Sequence, residues 1–224
     1  IINYVKGGSV KNFIYSVMTI IENYPKPTID VLMNFVSTHD IERAINRLGG
    51  ENCDNKDKDW MAEKYLNEQQ YAQGKNLLKA AMALMFFLPG VPSIYYGDEA
   101  GLQGYKDPFN RRCYPWGNED KELIEYVSEL SRVRKSIPNM KYGRTYFTLN
   151  DNEVIDERVV SFTRQGETDY IIFVNRSCDD IVFENIDKLM PRFKNFSQMY
   201  GEFKDNTVKI KPYGYTIIKA KFID

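Results

Sequence analysis

Residues 34–50 read NFVSTHDIERAINRLGG. An apolar run from Val31 to Val36, holding one Asn, gives way to four polar residues, Ser37-Thr38-His39-Asp40. Ile41, Ala44, Ile45 and Leu48 then recur at helical spacing. The pattern predicts a buried strand, a polar tip and a helix. His39 is the single histidine of the chain and stands directly before an aspartate.

The same grammar surrounds this stretch. Upstream, Ser9 can cap a helix in which Val10, Phe13, Ile14, Val17, Ile21 and Tyr24 repeat until Pro25 and Pro27 stop it. The opening IINYVKGG reads as a short strand-like apolar run. Downstream, GGENCDNKDKDW reads as a solvated loop. A long helical period from about Met61 to Leu88 ends at Pro89-Gly90, and VPSIYYGDEAG forms a second strand with a polar tip at Asp98 and Glu99. After the loop LQGYKDPFNRRCYPWGNED, Leu123, Tyr126, Val127, Leu130 and Val133 mark another helix that closes before Pro138. Strand, helix, strand, helix is the pattern of a parallel sheet covered by helices.

Near Tyr142 the pattern changes. RVVSFTR, DYIIFVNRS, DIVFEN and TVKIKPYGYTIIKAKF are β-rich runs separated by polar turns, without a clear helix, and predict an antiparallel β-domain of sandwich size. Two units are therefore expected, residues 1–141 and 142–224. The first holds too few strands to close an eight-stranded, eight-helix barrel, which takes roughly 250 residues.

Composition excludes several classes of function. With 43% hydrophobic and 14% aromatic residues a substantial core is available, and 30 basic against 31 acidic side chains favour no polyanion. No Lys/Arg cluster marks a nucleic-acid face, and no apolar run reaches the roughly twenty residues needed to cross a bilayer. Cys53, Cys113 and Cys178 are odd in number and lack a CxxC spacing, so they read as free cysteines of a cytoplasmic protein. IINYVKGG has neither an initiator Met nor a signal-peptide cleavage site; it reads as a start inside a larger protein, which leaves export and oligomeric state open.

Side chains at the carboxyl ends of parallel strands converge on one face, where they can surround a ligand. His39, Asp40, Asp98 and Glu99 belong there, with the loop that carries Asp107, Asn110, Arg111 and Arg112. A neutral, hydroxyl-rich ligand would use the carboxylates as acceptors, Arg and His as donors, and rings such as Tyr105, Tyr114 and Trp116 as contact surfaces. Each feature also has a structural reading. His39 can be an ordinary hydrogen-bonded residue, and Asp40 can cap the following helix. Asp98 and Glu99 can satisfy backbone donors or pair with an Arg, Asp107 and Arg111 can be an ion pair shaping their loop, and the tyrosines can be packing.

Three ordered segments resemble the α-amylase family of glycoside hydrolases. NFVSTHD is similar to the family's strand ending in His-Asp, here continued by Ile41-Glu42-Arg43. GVPSIYYGDE is similar to its Gly-x-Pro-x-Ile-Tyr-Tyr-Gly-Asp-Glu strand, and DPFNRRCYPW to its Asp-Pro-x-Asn-Arg loop. The form GYKDPFNRR leans toward neopullulanases and cyclomaltodextrinases, and INYVKGGSVKNFI resembles the sixth barrel strand and its helix. The resemblance implies the C-terminal portion of a (β/α)8 TIM barrel at 1–141 and a β-sandwich at 142–224.

It also implies roles: His39 as the transition-state-binding histidine, Asp40 as the third essential carboxylate, Asp107 and Arg111 as residues holding a more distant sugar. The implied activity is retaining cleavage of α-1,4 and, in some substrates, α-1,6 glucosidic bonds in an α-glucan, maltooligosaccharide or cyclodextrin. A non-catalytic binding relative and a transglycosylase share the same motifs. The family's usual calcium ligands lie in an earlier inserted domain, so no cofactor is assigned to these residues.

A retaining glycosidase needs a nucleophile and an acid/base carboxyl roughly 5 Å apart. In the family both lie on earlier strands, the nucleophile in a Gly-x-Arg-x-Asp-like segment that is absent here. The purified 224-residue chain is therefore expected to release no product from maltotriose or cyclodextrin. Turnover above a vector control would contradict this.

Overall fold

A computed structural model describes residues 1–147 and 156–223; residues 148–155 and 224, part of the second expected unit, lie outside the described residues. The chain begins with helices α1 (Ile2–Val5), α2 (Val10–Asn23) and α3 (Lys26–Val31), then strand β1 (Met33–Asn34). Helices α4 (Ala44–Gly49), α5 (Lys58–Glu63) and α6 (Glu68–Phe87) lead to β2 (Val91–Pro92), and a long loop to α7 (Lys121–Lys135) and α8 (Asn139–Tyr142). The β-rich part contains β3 (Arg144–Phe147), β4 (Val159–Gln165), β5 (Asp169–Asn175), β6 (Ile181–Phe183), α9 (Ile186–Leu189), β7 (Phe193–Tyr200), β8 (Glu202–Lys204), β9 (Thr207–Ile210) and β10 (Tyr215–Phe222).

β1 and β2 pair in parallel, Met33 opposite Val91 and Asn34 opposite Pro92, with α4 to α6 as the crossover. The Asn of the apolar run earns its place here: Asn34 Nδ2 donates to Pro89 O at 2.8 Å and holds the chain reversal before β2. α6 is the centre of the packing. Every residue from Ala80 to Phe87 is buried, so its second half is apolar all round and is enclosed by α4, α7 and a β-sheet. Its end is closed by Arg134, which donates to the carbonyls of Phe86 and Gly90.

The β-rich part forms a five-stranded sheet, β3-β4-β5-β10-β7, and a three-stranded sheet, β6-β9-β8, every pair antiparallel. Alternation along β4, β5 and β10 divides their side chains between two cores. Val160, Phe162, Ile172, Val174, Tyr215 and Ile217 pack toward α6 and α7. Val159, Ile171, Phe173, Ile218 and Ala220 pack toward Ile181, Phe183, Val208 and Ile210 of the smaller sheet. β5 is consequently buried along its whole length, which is why its middle, YIIFV, is an unbroken apolar run.

Several expectations are corrected. IINYVKGG is not strand-like: residues 2–5 are helical, because the amides of Val5 and Lys6 find the carbonyls of Ile1 and Ile2 and no described strand pairs with them. The run Val31–Val36 is not a buried strand. Val31 ends α3, only Met33 and Asn34 pair, and Val31, Met33 and Phe35 are exposed because no described element covers this side of the two-stranded sheet. The long period from Met61 to Leu88 is two helices, since Asn67 and Gln70 form a capping box that starts α6 afresh. The loop GGENCDNKDKDW runs into α5 and buries Cys53, although all three cysteines are free. Strands β3, β7 and β8 and the short helices α3, α8 and α9 lie outside the runs that the sequence pattern marks.

α4 crosses α6 at two glycines. A Cβ on Gly74 would lie 2.7 Å from Ile45 O, and a Cβ on Gly49 2.8 Å from Gly74 Cα, so backbones meet where a side chain would part them. Gly74→Ala should therefore destabilise by about 1–3 kcal/mol despite the better helix propensity of Ala. A melting midpoint equal to or above the parent's would refute this close approach.

Candidate functional site

Three loops meet at the carboxyl ends of β1 and β2: residues 35–43, residues 93–101, and residues 102–120. In the first, Ser37 Oγ accepts the Ala44 amide at 2.7 Å and starts α4. Asp40 caps nothing; its amide donates to Thr38 Oγ1 at 3.2 Å. The side chains of His39 and Asp40 project outward, 63% and 73% exposed, with Nε2 and Oδ1 3.2 Å apart. Asp107 and Arg111 also form a pair, Oδ1 to Nε 2.7 Å, on the exposed side of a 3-10 turn at Phe109–Arg111.

Beneath these exposed pairs lies Arg43, whose side chain is fully buried. Its guanidinium donates to Asp98 Oδ1 at 3.1 Å, to Tyr96 O, and through Nε to Asn110 O at 2.8 Å. Its Cζ lies 4.1 Å from the Tyr95 ring centroid and 4.6 Å from that of Tyr96. Its amide donates to Gly104 O at 2.9 Å. One residue thus ties the His39–Asp40 loop to both other loops. Asp98 takes the Arg-paired role rather than facing a ligand, and burial pushes its carboxyl up to about 6 against the opposing pull of Ser37 and Arg43.

Asn110, also buried, turns its Nδ2 toward the first loop and donates to His39 O at 2.9 Å and Ile41 O at 2.8 Å. Arg112 reaches the other way, donating to Ala62 O at 2.6 Å and lying over the Tyr65 ring. Tyr105 is packing, in contact with Cys53, Met61 and the Trp60 ring. Tyr114 and Trp116 hold their rings 4.5 Å apart, and Trp116 is 79% exposed. Among the described residues no group of three or more His, Cys, Asp or Glu is arranged to hold a metal.

His39, Asp40, Asp107 and Arg111 therefore lie on loops joined to one another from below. The buried roles of Arg43 and Asn110 were not read from the sequence. Arg43 stood among apolar positions of the helical pattern around Ile41, Ala44 and Ile45, a setting in which a charged residue needs a partner.

Comparison with known proteins gives relatives along most of the chain. Amylopullulanase from Thermoanaerobacterium thermosulfurigenes is 37% identical over 171 residues, 73% of this chain and 9% of that protein. Cyclomaltodextrinase from Geobacillus thermopakistaniensis is 26% identical over 217 residues, 93% of this chain and 32% of that protein. The chain belongs to the α-amylase family. Its fold matches ligand-free cyclic α-maltosyl-(1→6)-maltose hydrolase from Arthrobacter globiformis over 98% of this chain and 42% of that one, with a TM-score of 0.73 at 20% identity. An acarbose complex of α-amylase from Geobacillus thermoleovorans matches over 98% of this chain and 46% of that one, with a TM-score of 0.71 at 18% identity. No protein-family model matches. The chain spans about a tenth to a third of the two curated relatives' lengths.

The Arg43–Asp98 pair should be exposed by pH. A carboxyl held above its ordinary value favours the folded state most below that value, and the benefit is lost as pH rises through about 6. Arg43→Met leaves a buried carboxylate alone and should cost about 3–5 kcal/mol at pH 7. The deficit should shrink near pH 5, where the unpartnered carboxyl is neutral. Chemical denaturation of parent and variant at both pH values measures it; a pH-independent deficit would contradict the pairing.

Proposed function

We propose that these residues are the late strands of a (β/α)8 barrel, 1–141, and a following β-sandwich, 142–224, of a retaining glycoside hydrolase. Its substrate is an α-glucan or a linear or cyclic maltooligosaccharide, cut at α-1,4 and in some substrates α-1,6 bonds. The single observation that carries this reading is the His39–Asp40 pair. Both side chains stand open to solvent at the carboxyl end of a parallel strand, paired with each other, on a loop anchored by buried residues. The names of the similar proteins, amylopullulanase and cyclomaltodextrinase among them, support the carbohydrate substrate class.

In this reading Asp40 accepts hydrogen bonds from hydroxyls of the sugar at the bond being cut and offsets positive charge that grows as the ring flattens toward an oxocarbenium ion. His39 donates to a hydroxyl of the same sugar. Asp107 and Arg111 hold a sugar further along the chain. The nucleophile and the acid/base carboxyl come from residues outside this stretch.

Interactions that strengthen in the transition state lower kcat and kcat/KM together when removed, whereas uniform binding changes KM. In the full-length protein Asp40→Asn should cost about 3 kcal/mol, equivalent to about a hundredfold in kcat, with KM little changed. Asp107→Ala should mainly raise KM. Steady-state kinetics on maltotriose and cyclodextrin measure both, and Asp40→Asn activity within about threefold of the parent would retire the assignment.

A further inference from the structure

We propose that Asn110 is a positioning residue for Asp40: its side-chain amide sets the direction in which the Asp40 carboxylate leaves the loop. The proposal rests on the functional reading of His39 and Asp40 above. Both side chains are exposed and touch each other, so little else constrains them; their placement is inherited from the backbone of residues 38–41. Asn110 Nδ2 carries two hydrogens and has the carbonyls of His39 and Ile41 in front of it at 2.9 and 2.8 Å, with Thr38 O at 3.5 Å. Facing acceptors, that atom must be the nitrogen. The carbonyl of His39 belongs to the peptide group that enters Asp40 and that of Ile41 to the peptide group that leaves Ile41, so the two bonds brace both ends of the two-residue stretch that carries the Asp40 carboxylate.

The energetics point the same way. Asn110 is fully buried, its Oδ1 has no partner among the described residues, and burying an unpaired amide oxygen is unfavourable. An apolar side chain of similar size would pack without that penalty, so the gain specific to Asn is the pair of bonds to the loop. The anchor is itself held, since Arg43 Nε donates to Asn110 O at 2.8 Å. Asn110 also lies within the turn that presents Asp107 and Arg111 on its outer side. One turn therefore fixes the two exposed pairs relative to each other.

The test uses the full-length protein with Asn110→Asp, which keeps size and removes both amide hydrogens. Its carboxylate would face two carbonyl oxygens and push the loop away. At pH 7.5, well below the melting midpoint and per folded protein, kcat on cyclodextrin should fall about a hundredfold, because a displacement of about 1 Å at a reacting centre has that scale. At pH 5 a neutral carboxyl regains one O–H donor, so the ratio of variant to parent kcat should rise about tenfold. A purely structural role would lower the melting midpoint without a pH-linked kcat ratio in folded protein. If Asn110→Asp does not fold, Asn110→Ser and Asn110→Ala replace it, and the hydroxyl donor should give the serine variant the higher kcat. Asp40→Asn is measured in parallel. If it is impaired while the Asn110 variants stay within about threefold of the parent, the positioning role is overturned and the reading of Asp40 stands. If Asp40→Asn stays active, the reading of the pair fails and takes the proposal with it.

Discussion

A buried guanidinium organises the working end of this molecule. Arg43 reaches a carboxylate, two carbonyls and two aromatic faces drawn from the loops after β1 and β2 and from the long loop that follows them. A charge taken out of water needs such partners, and removing one strands the rest. The three loops are therefore coupled: none can adopt its shape without the others. The same side chain is too far inside to meet a ligand, so the exposed pairs His39–Asp40 and Asp107–Arg111 are carried on a platform that does not itself take part in recognition.

The platform in turn depends on α6. Because its second half is apolar on every side, it must be surrounded, and it is surrounded by elements from both ends of the chain. The five-stranded sheet contributes Val160, Phe162, Ile172 and Ile217 to this core while turning its alternate residues toward the smaller sheet. Polar ties reinforce the contact. Tyr200 and Tyr215 both donate to Glu129 of α7, and the Val10 amide donates to Glu157 across a separation of 147 residues. The apolar core thus runs continuously through the change in sequence pattern near Tyr142.

The open faces of β1 and β2 follow from the same constraint. Two residues per strand are too few to shield either face, and Val31, Met33, Phe35 and Val91 remain exposed beside an otherwise well-packed interior. On the barrel reading these are positions that further strands and their helices would cover.

Features that depend on local periodicity are legible in the amino-acid sequence. Ser9 and Asp120 cap the helices that their spacing announces, α7 buries Leu123, Val127, Leu130 and Val133, and the apolar runs of β4, β5 and β10 are strands. The motifs also located the loops that hold His39, Asp40, Asp107 and Arg111. Tertiary structure decided the rest. Whether IINYVKGG or Val31–Val36 extends as strand depends on a neighbour to pair with, which no local pattern contains. β7 lies at a sheet edge with register shifts in its pairing, and its partly buried residues fall at 193, 196, 199 and 200, so its sequence carries no period of two. The jobs of Arg43, Asp98 and Asn110 depend on partners 55 to 71 positions away. Burial and charge pairing are properties of the folded neighbourhood, and a residue's type fixes only what it can bond to, not what it will find there.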